Sequence, residues 1–468
     1  MPLADRDFTY FTTVRGMCRA CRQIVPARVV FRGAEVWQER LCPTCGTDRA
    51  LIAGDRAWYL ARLEEVREDR APLPASAHRR SAHGCPHDCG PCPMHASPCQ
   101  LPVISVTNAC NLRCPICFTY NRADRVWHMP PDELQRIVEW ILQSSTEVDL
   151  INLTGGEPTL HPQIFDLIDV CQRSGIGRVT LNSNGIVLAR DVEFCARLAD
   201  LGVYVVLSLD TFDPGVSRRL HGVNLVETKQ RAIENLGAAG VRMTLLNVLV
   251  RGENEDVPTR LLDLMRDHEH ILSLTVQTMT YTGQGGSRFP RAMHVPIDHA
   301  AHMLCERLDG EIVPADFVSR PSAHPLCYSM AYLFKTGRRF VPFTRVMAPA
   351  DIQARLRDSY LLRLDAEGDL LPDVINRLYA ERSDLLPAFR VLVERAYPGD
   401  RVLTAFERQR AAEQSVRTVY LHAHMDEDTF DCARAALCPD MVPTEAGCFV
   451  PACTYNLFYR QRDGRFHA

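Results

Sequence analysis

Cys110-Asn111-Leu112-Arg113-Cys114-Pro115-Ile116-Cys117 follows an apolar run, Val103 to Val106, that reads as a strand. Three thiolates within eight residues can all turn toward one inorganic centre. Soft thiolates select zinc, copper(I) or iron–sulfur clusters. A [4Fe–4S] cube offers four irons, so Cys110, Cys114 and Cys117 would leave one iron without a protein ligand. An open iron can bind a small molecule through an amine and a carboxylate. The plainer alternative is a three-cysteine zinc site lacking its fourth ligand.

The 468 residues suggest two to four domains, and 46% hydrophobic content is enough for sizeable cores. A formal charge of −4 and a pI near 6.5 argue against bulk attraction to nucleic acid. No apolar run approaches the ~18 residues that span a bilayer, so membrane contact is expected to be peripheral at most. Met1 to Tyr10 carries Asp5 and Asp7 and no apolar core, which is unlike a secretory signal. Nineteen cysteines in tight clusters then point to metal ligation in a reducing, cytoplasmic setting rather than to disulfides.

Cys18/Cys21 and Cys42/Cys45 form paired knuckles that can complete one tetrahedral metal site. Zinc and a rubredoxin-like iron use the same four thiolates, so the metal stays open, as does the choice between a structural staple and an electron relay. The spacer from Ile24 to Trp37 suits a small hairpin, and residues 55–67 a helix. Residues 69–84 read as a linker. Cys85, Cys89, Cys92 and Cys99 follow within fifteen residues and suit an auxiliary [4Fe–4S] cluster better than a second zinc knuckle.

From 103 to 280 strand and helix alternate. Strands are expected at 103–107, 149–154, 178–182, 204–209, 242–250 and 272–279, with helices near 131–143, 162–174, 190–201, 226–239 and 256–268. This alternation implies α/β architecture with a parallel sheet and crossover helices, a partial (β/α)₆ barrel. Functional groups should sit at the C-terminal strand ends. Gly155-Gly156-Glu157-Pro158 ends the second unit; two glycines permit a close backbone approach, and Glu157 with nearby carbonyls can take an ammonium group. Asn184, Ser208, Asp210 and Gln277 end later units, and Gly283 to Gly286 form a glycine-rich loop. Cys171, Cys195 and Cys305 stand alone in helical contexts and read as core.

Beyond residue 286 helices are expected near 351–363, 373–397 and 402–414, then a strand from Val419 to His424. Cys327, Cys438, Cys448 and Cys453 form the favoured ligand set for a second auxiliary cluster, with Cys432 the alternative to Cys448. The chain thus divides into a four-cysteine metal domain (1–68), a linker and auxiliary-cluster segment (69–100), the barrel (101–286) and a C-terminal α+β auxiliary-cluster domain (287–468).

The C-x-x-x-C-x-x-C loop with the Gly-Gly-Glu-Pro turn resembles the radical S-adenosylmethionine (radical SAM) superfamily. Ile116 stands where an aromatic residue is common there. In that family the open iron chelates SAM, and an electron from the cluster cleaves it to a 5′-deoxyadenosyl radical. The resemblance assigns Gly155, Gly156 and Glu157 to the SAM amine, and offers Ser208 and Asp210 for its carboxylate or ribose. The N-terminal cysteines, the 85–92 run, His-Pro-Leu-Cys at 324–327, His424-Met425-Asp426 and Pro-x-Cys-x-Tyr-Asn at 451–456 further resemble the subgroup of tetraether lipid synthases and class D pterin methylases. That subgroup implies carbon–carbon bond formation at unactivated carbon, three [4Fe–4S] clusters, one mononuclear zinc or iron, and a flavodoxin- or ferredoxin-type electron donor. Lipid-tail coupling is the leading expectation. Methylation of a pterin or other small molecule with a methylene-folate-type donor is the alternative, and a non-catalytic iron–sulfur carrier a third reading. A lipid would need a long apolar tunnel, and a pterin a polar, aromatic-lined pocket.

Overall fold

The computed structural model describes residues 6–65, 82–89, 92, 95–119, 125–144, 148–357, 359–362, 370–444 and 448–466. Most of the expected linker, and Gly90 and Pro91 of the auxiliary-cluster run, lie outside these residues. Strands β1 (Thr9–Met17), β2 (Ile24–Arg32), β3 (Glu35–Cys42) and β4 (Gly46–Ala53) form an antiparallel meander, larger than the hairpin expected. Helix α1 (Arg56–Glu65) follows. Asp298 anchors the meander to the body: its Oδ2 accepts from the Gly54 and Asp55 amides, both at 2.7 Å.

The barrel unit alternates as its apolar periodicity dictates: β5 (Leu101–Thr107), α2 (Pro131–Ser144), β6 (Leu150–Gly155), α3 (Ile164–Arg173), β7 (Arg178–Ser183), α4 (Val192–Asp200), β8 (Tyr204–Ser208), α5 (Pro214–His221), α6 (Val226–Ala239), β9 (Met243–Leu249), α7 (Val257–Asp267) and β10 (Ile271–Thr278). The six strands pair in sequence order, all parallel. Helix α5 is not among the helices expected. Its signals are local: Asp213 accepts from the Val216 amide at 2.7 Å, Pro214 opens the first turn, and Gly222 closes the last.

The last third adds β11 (Val318–Ser319), β12 (Tyr328–Thr336), β13 (Arg339–Pro342), β14 (Val416–His422), β15 (Asp440–Pro443) and β16 (Phe449–Pro451). It does not build a separate sheet. β14 runs parallel to β10 and β15 parallel to β5, so the chain's end flanks both edges of the six-stranded unit. The Tyr328 hydroxyl, at the β14 edge, donates to Asp440 Oδ2 on the β15 edge and so crosses the open seam. The helix expected over 373–397 is two, Leu370–Glu381 and Leu386–Ala396, because Pro387 fits only the first turn of a new helix. No described helix is long and apolar enough to cross a membrane.

Because β side chains alternate, every second residue of each strand faces the lumen. These inward positions include Ser105, Asn152, Thr154, Thr180, Asn182, Ser208, Thr244, Ser273, Thr275 and Gln277. The opposite faces, with Ile104, Leu153, Leu181, Leu207, Leu245 and Leu274, pack under the helices as the main core.

Candidate active site

Cys110, Cys114 and Cys117 line one side of a cavity of about 390 Å³ that runs through the lumen. Their loop is held from three sides. The Ile116 amide donates to Leu220 O of α5 at 3.2 Å, the Cys117 amide to Cys114 O at 3.1 Å, and the Gly285 amide to Cys117 O at 2.9 Å. The glycine-rich loop packs on this backbone: a Cβ at Gly283 would lie 2.3 Å from the Phe118 carbonyl carbon. Burial pushes the Cys110 thiol up to about 11 and that of Cys114 to about 12. Such thiols are poor thiolates until a metal displaces the proton.

The spacing of sulfurs separates two kinds of centre. Among the described residues, only Cys18, Cys21, Cys42 and Cys45 bring four sulfurs within 4.8 Å of one another. The Cys21–Cys42 separation is 3.7 Å, the edge of a tetrahedron with metal–sulfur bonds of about 2.3 Å. These residues fit one mononuclear ion. Cys110, Cys114 and Cys117 are neighbours but spread wider, which suits three iron corners of a cube rather than one ion.

Gly155 and Gly156 are required by the chain itself. A Cβ on Gly155 would sit 2.2 Å from Thr107 O, and on Gly156 2.1 Å from Ala109 O, the backbone entering the cysteine loop. Glu157 lines the cavity beside Gly155 and Gly156 and is also tied to the chain. Its Oε1 accepts from Thr159 Oγ1 at 2.7 Å and Ser183 Oγ at 2.9 Å, and its Oε2 from the Asn184 amide at 2.6 Å. The buried carboxylate therefore braces two loops against each other, and burial raises its pKa. Asn184 in turn donates through Nδ2 to Asn111 Oδ1 of the cysteine loop at 2.7 Å.

Ser208, Asn184 and Gln277 line the cavity, as expected. Asp210 is not among its lining residues. Its Oδ1 accepts from the Val248 amide at 2.6 Å, and its Oδ2 lies 3.3 Å from His221 Nε2. Burial pushes Asp210 up to about 6 and His221 down to about 3. Asp210 ties β8 to β9 and α5.

Sequence reasoning missed Lys229. It is 2% exposed, with Nζ donating to Ser208 Oγ at 2.8 Å. Burial lowers its pKa to about 8, against the pull of Asp210 and Cys114. The signal was present: Lys229 shares the inward face of α6 with Ala232, Ile233 and Leu236, where an unpaired ammonium does not belong.

The auxiliary cysteines are shared out differently from the expected sets. Cys432, expected only as the alternative to Cys448, joins the N-terminal group instead: its Sγ lies 3.7 Å from Cys85 O, and Cys85 Sγ 4.0 Å from Cys432 O. Cys99 leaves the N-terminal group. The amides of Ala96 and Gln100 donate to Ala436 O and Pro439 O, so the segment carrying Cys99 runs along the segment carrying Cys438. Cys327, Cys438 and Cys453 act on one another electrostatically. Cys448 stands outside this trio; its Sγ is 3.1 Å from Thr444 Oγ1, and it packs with Cys89, Val442 and Tyr455. Among the described cysteines, Cys85, Cys89, Cys92 and Cys432 are neighbours, and Cys327, Cys438 and Cys453 form a second group.

The far side of the cavity carries Tyr328, Tyr360, Tyr420, His422, His424 and Asp440. Tyr328 and His422 stack at 4.2 Å and 11°, and His424 stacks on Phe118, next to Cys117, at 5.2 Å and 19°. Burial keeps both histidines neutral near neutral pH, His424 falling to about 4.

Residues 104–265 match the Radical SAM superfamily model, and residues 10–54 the HMPTM N-terminal zinc ribbon domain. The chain is similar to a 7,8-dihydro-6-hydroxymethylpterin dimethyltransferase of Methanocaldococcus jannaschii, 25% identical over 95% of this chain and 93% of that one. It is also similar to a GTP 3′,8-cyclase of Chlorobaculum tepidum, 32% identical, covering 38% of this chain and about half (52%) of that relative. A crystal structure of Streptococcus suis SuiB bound to S-adenosylmethionine aligns with a TM-score of 0.39 at 20% identity, over 46% of this chain and 48% of that one. Together with the cysteine loop at the mouth of a parallel α/β barrel, the match identifies residues 104–265 as a radical SAM superfamily domain, and the chain as an enzyme that carries it.

Proposed function

We propose that this enzyme methylates a pterin-class heterocycle, drawing the added carbon from a methylene-folate-type donor, rather than coupling lipid tails. The lumen lining carries the reading. Hydroxyls and amides of Ser, Thr, Asn and Gln side chains share its strands with Val103, Leu150, Val206, Leu246 and Val248, and tyrosines and histidines close its far side. A saturated chain would strip water from these groups and return no hydrogen bond, at a cost of roughly 1–3 kcal/mol per polar group. A flat ring with N–H and carbonyl edges satisfies them and stacks on the aromatic wall. The activity of the Methanocaldococcus jannaschii relative, a pterin dimethyltransferase, supports the same class.

In this reading a [4Fe–4S] cluster on Cys110, Cys114 and Cys117, with SAM bound, supplies the hydrogen-abstracting 5′-deoxyadenosyl radical. The chain's own part is positioning. Glu157 and Asn184 fix the Gly155–Gly156 turn against the cysteine loop. Ser208, Lys229 and Gln277 set the polarity of the wall beside it. Cys85/Cys89/Cys92/Cys432 and Cys99/Cys327/Cys438/Cys453 are the proposed holders of two auxiliary clusters, and a small flavodoxin- or ferredoxin-type protein the electron donor. The test is anaerobic turnover of reconstituted enzyme with SAM, dithionite, a methylene-folate donor and 6-hydroxymethyl-7,8-dihydropterin, offered beside an isoprenoid diether lipid. Mass spectrometry should find a methylated pterin. A coupled lipid with the pterin untouched would overturn the reading.

A further inference from the structure

At the seam of the barrel a buried carboxylate has half its hydrogen-bonding capacity unused. Asp440 begins β15, lines the cavity and is 3% exposed. Its Oδ2 takes the Tyr328 hydroxyl. Its Oδ1 has no hydrogen-bond partner among the described residues.

The neighbouring groups are committed elsewhere. Arg320, which acts on Asp440 electrostatically, spends its guanidinium on Ser322 Oγ, Gln100 Oε1 and the carbonyls of Ser359 and Tyr360. His422 Nε2 lies 3.8 Å from Oδ2, beyond hydrogen-bond reach, and gives Oδ1 no hydrogen bond. A buried acceptor without a donor costs about 1–3 kcal/mol, more when charged, so the site is completed by a ligand that brings N–H groups. The donor must be flat, because the stacked rings of Tyr328 and His422 flank the carboxylate, with Tyr360 on the same wall.

We propose that Asp440 is the specificity residue of the substrate site, its Oδ1 accepting from the amino-pyrimidinone edge of the heterocycle while Tyr328 holds Oδ2. The assignment rests on the pterin-class reading and goes further, naming the edge that is recognised and the residue that recognises it. A carboxylate accepts only, so it favours adjacent N–H donors and repels a carbonyl in the same place.

The test is an anaerobic fluorescence titration of the iron-loaded enzyme with two probes, 6-hydroxymethylpterin and 6-hydroxymethyllumazine. The second carries a C2 carbonyl where the first has its amino group. The parent enzyme should prefer the pterin by about tenfold or more. Asp440→Asn should erase or invert that preference, since its amide N–H meets the lumazine carbonyl. Equal binding of both probes by the parent overturns the assignment without any variant, so a misfolded Asp440→Asn does not shelter it. Pterin selectivity that survives Asp440→Asn also overturns it while leaving the substrate class standing. Failure of the parent to bind either probe overturns the substrate class and the assignment together.

Discussion

Lys229 Nζ reaches Ser208 Oγ at 2.8 Å, which puts a buried ammonium behind the lumen wall, near enough to Cys114 to act on it electrostatically. A cluster held by three thiolates gains negative charge on reduction, and a nearby buried cation offsets it. Lys229→Met should therefore make the first cluster harder to reduce. The midpoint potential should fall by roughly 60 mV or more, one tenfold step for a one-electron couple, read by EPR during a redox titration. Lys229→Arg should recover only part of it, because the planar fork does not replace a point charge in a packed helix face.

Acid should weaken the fold through His221. Its folded pKa is about 3, depressed chiefly by burial, against an unfolded value near 6.5. Between these values the unfolded chain binds a proton that the folded chain does not. Stability is complete above pH 6.5 and falls as pH drops toward 3. Between pH 7 and pH 5 this one group should cost about 2 kcal/mol. His221→Gln keeps a polar side chain beside Asp210 and does not titrate, so its urea-unfolding free energy should drop by correspondingly less over the same interval. An identical drop in both proteins would contradict this burial.

How much of this was legible in the sequence depended on sequence distance. The cysteine loop and the Gly155–Gly156 turn are local, and the strand–helix periods around them are strong, so the barrel and its mouth could be read directly. Helix α5 was readable from Asp213, Pro214 and Gly222, but its eight residues are too few to show a period. Pro387 likewise marked the break in the C-terminal helix. The role of Glu157 was not readable, because its partners Ser183 and Asn184 come from the next strand. Cys99 was grouped by proximity along the chain, and Cys432 stood as the alternative to Cys448. The approach of Cys432 to Cys85 and the run of residues 96–100 along residues 436–439 are long-range pairings that no single-chain pattern encodes. The same holds for β14 and β15 on opposite edges of one sheet.

The N-terminal metal should act as a staple more than as a relay. Besides Asp298, the meander leans on the C-terminal segment through Gln38 Nε2 to Phe430 O at 2.9 Å and Arg22 to Glu427 at 3.1 Å. Four thiolates brought to one point hold the end of that meander in shape only while the ion is present. Cys18→Ser with Cys42→Ser should lower the anaerobic melting temperature by roughly 5 °C or more. The rate of 5′-deoxyadenosine formation, measured below the new transition, should change by less than about twofold. Lost SAM cleavage with an unchanged melting temperature would make the ion an electron carrier.

The division of the auxiliary cysteines can be settled by counting iron. If Cys432 shares a cluster with Cys85, each single alanine variant loses about four irons per chain, and the double variant loses no more. The same non-additivity should join Cys99 to Cys438, whose neighbours are paired by the Gln100 amide to Pro439 O contact at 3.0 Å. Cys99→Ala combined with Cys432→Ala should instead lose about eight, because two separate cubes are opened. Cys448→Ala should lose none, since its thiol is engaged by Thr444. The grouping by position along the chain makes the opposite forecast: Cys85 and Cys99 would be non-additive, and Cys448 would count with Cys453. Iron analysis on anaerobically purified variants, with Mössbauer spectra to confirm that the remaining cubes are intact, separates the two. The grouping matters for function, because Cys438 lies two residues from Asp440 and Cys453 Sγ lies 3.4 Å from His424 Nδ1. A cube on Cys99, Cys327, Cys438 and Cys453 would thus stand against the aromatic wall of the lumen, within reach of whatever ring is held there.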